Sequence, residues 1–273
     1  MGDFQVGGMA LRDGVMLQSP HFWAAAVRLP DGSLRVRSGK KPQLPGREVV
    51  GRVPVVRGLA RVTETIACLY PARRDLGLPV LPHEDPTILA ATLGSATLGT
   101  VLRRRRTGSP VVRELAIAVL ALAPALLALR NSEVSRFHGA EHKSVAAYES
   151  GGDAHAAAKE HDRCGSNLIG PLLATNLAGG LVLRGLGHQR NPLTTLLLGL
   201  VSLGSAVEIF AWAAKHPGHP LADLMRAPGL RMQRLITTRE PTEDQLDVAQ
   251  AALEELIRLE KEVGAAAAGG APS

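Results

Sequence analysis

The chain has 273 residues, 45 % apolar and only 3 % aromatic, with two cysteines, a formal net charge of +6 and a mean hydropathy of +0.08. So few rings argue against a base-stacking platform for single-stranded nucleic acid, and no nucleic acid is expected as a partner. Cys68 and Cys164 are too few for a disulfide-built secreted domain, and no cleavable leader is read near the start. The mean hydropathy averages polar ends with a middle rich in Leu, Ala, Val and Gly, so the local pattern has to decide the class.

Residues 1–82 read as a polar module containing a β-hairpin, with strands at 22–29 and 33–37 joined through Pro30, Asp31 and Gly32. Its basic residues are interspersed with acidic ones, the pattern of a solvated or lipid-facing surface. Four apolar stretches follow, at residues 86–102, 115–129, 167–183 and 193–214. The last is long enough to cross a bilayer unaided, while the first two lie at or below the usual length of about 17 to 25 residues. Short hydrophilic links, one opening with Arg103 and the other with Arg184, pair the stretches into two hairpins, 83–129 and 166–214.

The expected fold is therefore a mainly α membrane protein with about four transmembrane helices, a small N-terminal β-containing module and a C-terminal amphipathic helix. Four crossings put residues 1–82, the loop 130–165 and the region 215–263 on one side of the membrane. Most of the Lys and Arg lie there, which predicts the cytoplasmic side, although the cluster beginning at Arg103 opposes this locally. In the tail, Thr242 reads as an N-cap with Gln245 three residues on, ahead of an apolar face of Leu246, Ala249, Leu253, Leu256 and Ile257. The Ala and Gly run at 264–273 reads as disordered.

The chemistry is concentrated in residues 136–143, RFHGAEHK, inside a proline-free stretch that reads as a helix. Side chains four apart share a helical face, so His138 and His142 can converge on one ion with Glu141 beside them. That His-x-x-Glu-His spacing is the one in which two imidazoles bind Zn²⁺ and the carboxylate serves as general base. On spacing alone an ordinary solvated helix is the competing explanation, since Gly139 weakens the helix by roughly 1 kcal/mol. A second polar cluster brings His161 and Cys164, two further metal-competent donors. Glu208 is an ionisable group within the fourth apolar stretch, either a third kind of ligand or an interfacial partner of Lys215. Glu149 shares the face of the histidines two turns on, placing it on the substrate side or behind the ligands.

These pieces resemble the YqhQ-like bacterial membrane proteins, a family of unknown function described as predicted metal-dependent enzymes. The resemblance is carried by RFHGAEHK, Tyr148-Glu149, His161-x-Arg163-Cys164-Gly165, Glu208 and the run PGLRMQRLITTREPTEDQLDVA at 228–249. The opening GGMALRDGVM also matches, with Met9 where the family has Gln and Asp13 where it has Glu. The resemblance implies a multi-pass enzyme of the bacterial cytoplasmic membrane that depends on a divalent metal. It places Arg136, Lys143, Tyr148, Glu149, Arg163 and Asp13 around the ligands. The resulting expectation is a hydrolase facing the cytoplasm, with its substrate unspecified. His138 and His142 hold Zn²⁺ or a similar ion, Glu141 is the catalytic base, and His161, Cys164 or Glu208 completes the ligand set. The competing expectation is a non-catalytic membrane adaptor with a structural metal or none.

Overall fold

A computed structural model describes residues 4–80, 84–104, 108–130, 132–187 and 191–269. Four strands, β1 (Gly7–Ala10), β2 (Gly14–Gln18), β3 (Phe22–Arg28) and β4 (Leu34–Lys40), form an antiparallel meander in sequence order. The expected hairpin is the β3–β4 pair, with Phe22 opposite Lys40 and Arg28 opposite Leu34. Its turn closes through the Leu29 N–H to the Ser33 carbonyl at 2.9 Å, with Gly32 at a φ of 80°. β1 and β2 are additional to the expected hairpin. All five residues of β2 are buried, because both faces of the sheet are covered, and such a strand loses the alternation that would reveal it in a sequence.

The first helices are α1 (Arg47–Val50), α2 (Val56–Ala67) and α3 (Leu69–Leu76), followed by α4 (Pro86–Arg104), α5 (Pro110–Arg130) and α6 (Ser132–Ser150). After a loop and a short 3₁₀ turn, Gly165–Leu168, come α7 (Ile169–Gly185), α8 (Pro192–Lys215) and α9 (Pro220–Met232). A π-helical turn, Gln233–Thr237, then leads to α10 (Glu243–Gly269).

The sheet is the middle of three layers. Met16, Trp23, Ala25 and Val27 face Cys68, Leu69, Ala72 and Leu76 at the start of and along α3. From the other face Val15, Leu17, Ala24 and Ala26 meet Phe137 and Ala140 of α6 and Leu246, Ala249, Leu253 and Leu256 of α10. The apolar stripe of α10 thus has its partner, and burying a side chain such as Leu256 contributes about 1.5 to 3 kcal/mol. The capping box also forms, with the Thr242 N–H donating to Gln245 Oε1 at 3.0 Å. α10 continues to Gly269, beyond the point where the sequence suggested disorder; residues 270–273 lie outside the described residues.

α4 packs on α5 and α7 on α8, and α5 joins the pairs by touching α7. Among the described residues three helices, not the expected four, are long and apolar enough to cross a membrane: Pro110–Arg130, Gly165–Gly185 and Leu193–Lys215. α4 forms as expected but carries Thr87, Thr92, Ser95, Thr97 and Thr100 with Gly94 and Gly99, which dilute its apolar surface. The three candidate spans are poorly covered by protein; Leu193, Leu196, Leu197, Leu200 and Val201 all stand exposed on α8. An apolar surface of that extent is what a multi-pass membrane protein presents to lipid. Arg105 and Arg106 of the first link, and His188 of the second, lie outside the described residues.

Candidate metal centre

α6 runs beneath the sheet, and the strand-like segment after the π-helical turn crosses it. The crossing is close: the Arg239 N–H donates to the Ser135 carbonyl at 2.9 Å, and a Cβ on Gly139 would lie 2.1 Å from the Arg239 carbonyl oxygen. Gly139, a weak helix former, is therefore the residue that admits the neighbouring backbone. β1 approaches from the other side, where a Cβ on Gly8 would meet Glu141 Oε1 at 2.6 Å. Gly8 of the opening motif thus lets the first strand lie against the carboxylate of the His-x-x-Glu-His helix.

Three donors converge in the space so formed. Ligand atoms of His138, His142 and Cys164 lie within 4.8 Å of one another, and all three residues are buried. His138 and His142 face each other with ring centroids 4.4 Å apart, and Cys164 Sγ is 3.3 Å from His138 Nε2. Each imidazole is oriented by main chain: His138 Nδ1 bonds the Thr237 carbonyl at 2.8 Å and His142 Nδ1 the Lys159 carbonyl at 2.6 Å. A carbonyl only accepts, so both Nδ1 atoms carry the proton and both Nε2 atoms present a lone pair to the cluster. His142 Nε2 is buried without a hydrogen-bond partner, a costly state for a polar atom that a cation would relieve. Two imidazoles with oriented Nδ1–H groups and one thiol form a set suited to a soft or borderline divalent ion.

The electrostatics agree with that assignment. Burial, reinforced by the neighbouring His138 ring, holds His142 well below the usual imidazole range, keeping it in the neutral, ligating form. Burial pushes the Cys164 thiol up to about 12, so this thiol remains protonated until a cation displaces the proton. Glu141 stands with Oε2 at 3.7 Å from His142 Nε2 and 3.9 Å from His138 Nε2. Burial raises its carboxyl, opposed by the imidazoles of His138 and His161. Such a carboxylate can complete a ligand set or exchange a proton at its mouth.

The remaining expected residues are distributed around this centre and beyond it. His161 is adjacent, its ring 5.7 Å from that of His142, but Nδ1 accepts from the Arg163 N–H at 3.3 Å and Nε2 faces Glu149 at 3.3 Å. Glu149 also pairs with Arg163, so His161, Glu149 and Arg163 form a unit behind the donors. Lys143 reaches Glu240 at 3.0 Å, Arg136 lies 4.0 Å from Glu133, and Tyr148 packs on Phe4 with centroids 5.3 Å apart. Asp13 lines a cavity of about 520 Å³ together with Arg28, Glu133, Phe137 and Gln245; none of the three donors opens into it. Glu208 belongs to a different place, where Arg57 of α2 grips it, Nε to Oε1, at 2.7 Å.

Gln233 and Asn167 carry no charge and no motif-like spacing, and the sequence reading assigned them nothing. Gln233 Oε1 accepts from the His161 N–H at 2.8 Å, and its Nε2 donates to the His161 carbonyl at 3.2 Å and Ser166 Oγ at 2.9 Å. Asn167 Nδ2 adds a bond to the Asp162 carbonyl at 2.7 Å. These amides clamp the loop that presents Cys164, Gln233 from within the run at 228–249, whose likeness to the family had no assigned role, and Asn167 from the 3₁₀ turn just after Cys164. Gln233→Leu leaves the half-buried His161 N–H without its acceptor. The expected result is a loss of about 1 to 3 kcal/mol of stability, seen in thermal melting of the detergent-solubilised protein. Metal affinity should fall about 10- to 100-fold in a chelator competition.

Three exposed apolar helices long enough to cross a bilayer, among the described residues, are consistent with a multi-pass membrane protein, and a buried cluster of two histidines and one cysteine gives it a candidate metal centre. The chain belongs to the YqhQ family, whose model, Protein of unknown function (DUF1385), matches residues 99–259. YqhQ of Bacillus subtilis strain 168, an uncharacterized protein, is 28 % identical over 302 residues, covering 93 % of this chain and 92 % of its own. No solved structure matches the chain significantly.

Proposed function

We propose that this chain is a membrane-embedded, metal-dependent hydrolase whose centre faces the cytoplasm. The observation that carries the reading is the convergence of His138 Nε2, His142 Nε2 and Cys164 Sγ beside a buried carboxylate. These three side chains would hold the ion, and imidazole with thiolate favours Zn²⁺ among the common divalent metals. A divalent cation supplies Lewis acidity there, bringing the pKa of a water toward neutrality. Glu141 would take and return the proton at Oε2, and burial, which raises its proton affinity, favours that role. The carbonyls of Thr237 and Lys159 keep both imidazoles in the ligating tautomer throughout, while the sheet and α10 exclude bulk water.

Four crossings support the cytoplasmic placement better than three. The N-terminal sheet, α6 and α10 share one core, so they lie on one side of the bilayer and the chain must cross it an even number of times between them. If α5 spans, its partner α4 spans with it. The hydroxyls of Thr92, Thr97 and Thr100 in α4 are bonded to carbonyls one turn back, at 2.8, 2.8 and 2.9 Å, as a helix in lipid requires. The basic residues gathered in this soluble body favour the cytoplasm.

The burial of Glu141 favours a second reading, an adaptor in which the carboxylate is a fourth ligand and the metal is structural. Glu141→Gln separates the two. As a general base, its loss should leave metal content unchanged and reduce turnover about 100-fold or more, abolishing complementation of a deletion strain. Loss of metal with complementation intact would establish the adaptor.

A further inference from the structure

The segment from α1 to the start of α3 is amphipathic in the inverted sense. Along α2 the residues turned into the protein include Gly58, Glu64 and, just beyond its end, Cys68, whereas Val56 and Ile66 stand exposed. Glu64 is buried because it accepts the Leu44 N–H at 3.1 Å. Val49 is 70 % exposed, Val53 47 %, Ile66 50 % and Tyr70 61 %, so the apolar stripe continues on either side of α2. Interleaved with it are exposed arginines at 47, 52, 61, 73 and 74. Over residues 47–74 six arginines stand against two glutamates, a net +4.

The location of this stripe is fixed by contacts with α8, a candidate span. A Cβ on Gly58 would lie 2.8 Å from the Gly204 carbonyl, and one on Gly204 would lie 2.4 Å from the Val55 carbonyl, so the two helices touch backbone to backbone. One turn along α8, Arg57 holds Glu208. α2 is therefore bolted to the flank of a lipid-facing helix with its apolar stripe uncovered and its arginines beside it. Apolar side chains seated at the acyl boundary and guanidinium groups reaching the headgroups are the chemistry of an interfacial element that reads anionic lipid.

We infer that residues 47–70 form a membrane anchor that inserts Val49, Val53, Val56 and Ile66 into the leaflet beside α8 and selects anionic headgroups through Arg47 and Arg52. The inference rests on α8 being a span and is independent of the metal centre. It is tested on the full-length protein, with Val53→Trp and Ile66→Trp made separately and reconstituted into vesicles whose acyl chains carry bromine. The fluorescence of Trp23 and Trp212 is measured on the parent protein and subtracted. In vesicles containing phosphatidylglycerol both added indoles should be quenched about twofold or more. In phosphatidylcholine alone the quenching should weaken, and Arg47→Glu with Arg52→Glu should weaken it in the anionic vesicles too. Equal quenching in the two vesicle types overturns the headgroup selection. Unquenched indoles overturn the anchor altogether, and if the particle mass is then twice that of one chain the stripe is an interface between copies. Quenching of Trp212 in the parent protein reports α8 in lipid separately, so failure of the span and failure of the anchor are distinguishable.

Discussion

His142→Ala and Cys164→Ser are each expected to strip the purified protein of metal while leaving it inserted and folded. The parent protein should carry about one equivalent of a divalent ion after desalting, since three pre-oriented donors with little freedom bind far more tightly than the same groups on a mobile loop. Changing the residues that orient such ligands costs about 10- to 100-fold in affinity, and removing a ligand itself should exceed that, leaving the centre empty after a chelator wash. Folding should survive, because the sheet, α3 and α10 hold their layers through side chains that do not include the donors. In the metal-free parent His142 Nε2 is a buried lone pair without a partner, so deleting the ring removes that burden as well as the ligand. Elemental analysis of parent and variants, with circular dichroism to verify the helices, makes the comparison. Full metal content in His142→Ala would show that the ion sits elsewhere and remove the basis of the enzymatic reading.

Gly139→Ala should be among the most damaging single-methyl additions in the body built around the sheet. On helix propensity alone alanine gains about 1 kcal/mol over glycine. Here the added Cβ would fall 2.1 Å from the Arg239 carbonyl, a backbone atom with no rotamer to adopt, so the whole segment 237–241 must retreat. Overpacking of this kind typically costs about 1 to 3 kcal/mol. The retreat also withdraws the Thr237 carbonyl from His138 Nδ1, so the ring loses its orientation and metal affinity falls together with stability. Gly264→Ala, on a part of α10 where a Cβ meets nothing within 4 Å, is the matched control and should be neutral or slightly stabilising. Equal melting temperatures for the two variants would refute the close crossing.

The helical half of the site was legible from spacing. His138 and His142 lie one turn apart on a proline-free stretch, and i, i+4 geometry alone brings them together. Cys164 was legible only as a candidate, because His161, three residues before it, has equally good chemistry. What separates them is the loop's course, fixed by Gln233 from a segment 72 residues away, which turns His161 toward Glu149 and leaves Cys164 on His138. Glu208 was read from the sequence as a ligand or a partner of Lys215, whereas the structure pairs it with Arg57, 151 residues away on a helix the sequence reading did not propose. β2 escaped notice because burial on both faces erases a strand's period, and α2, although amphipathic, was read as part of an irregular polar module. α4 was placed correctly as a helix, yet its hydroxyls and glycines make membrane crossing a question of topology rather than of composition.

The two carbonyls that orient the imidazoles are made at different stages of the chain's synthesis. His142 meets the Lys159 carbonyl soon after α6 emerges, whereas the Thr237 carbonyl that fixes His138 lies 99 residues further on, and the helix that seals the sheet comes later still. The donors are therefore not all oriented until the chain beyond Thr237 has been made, and a cation held by them would be captured only after both apolar hairpins have emerged. A chain terminated before Thr237 would lack the carbonyl that orients His138 and should not retain a cation at these donors.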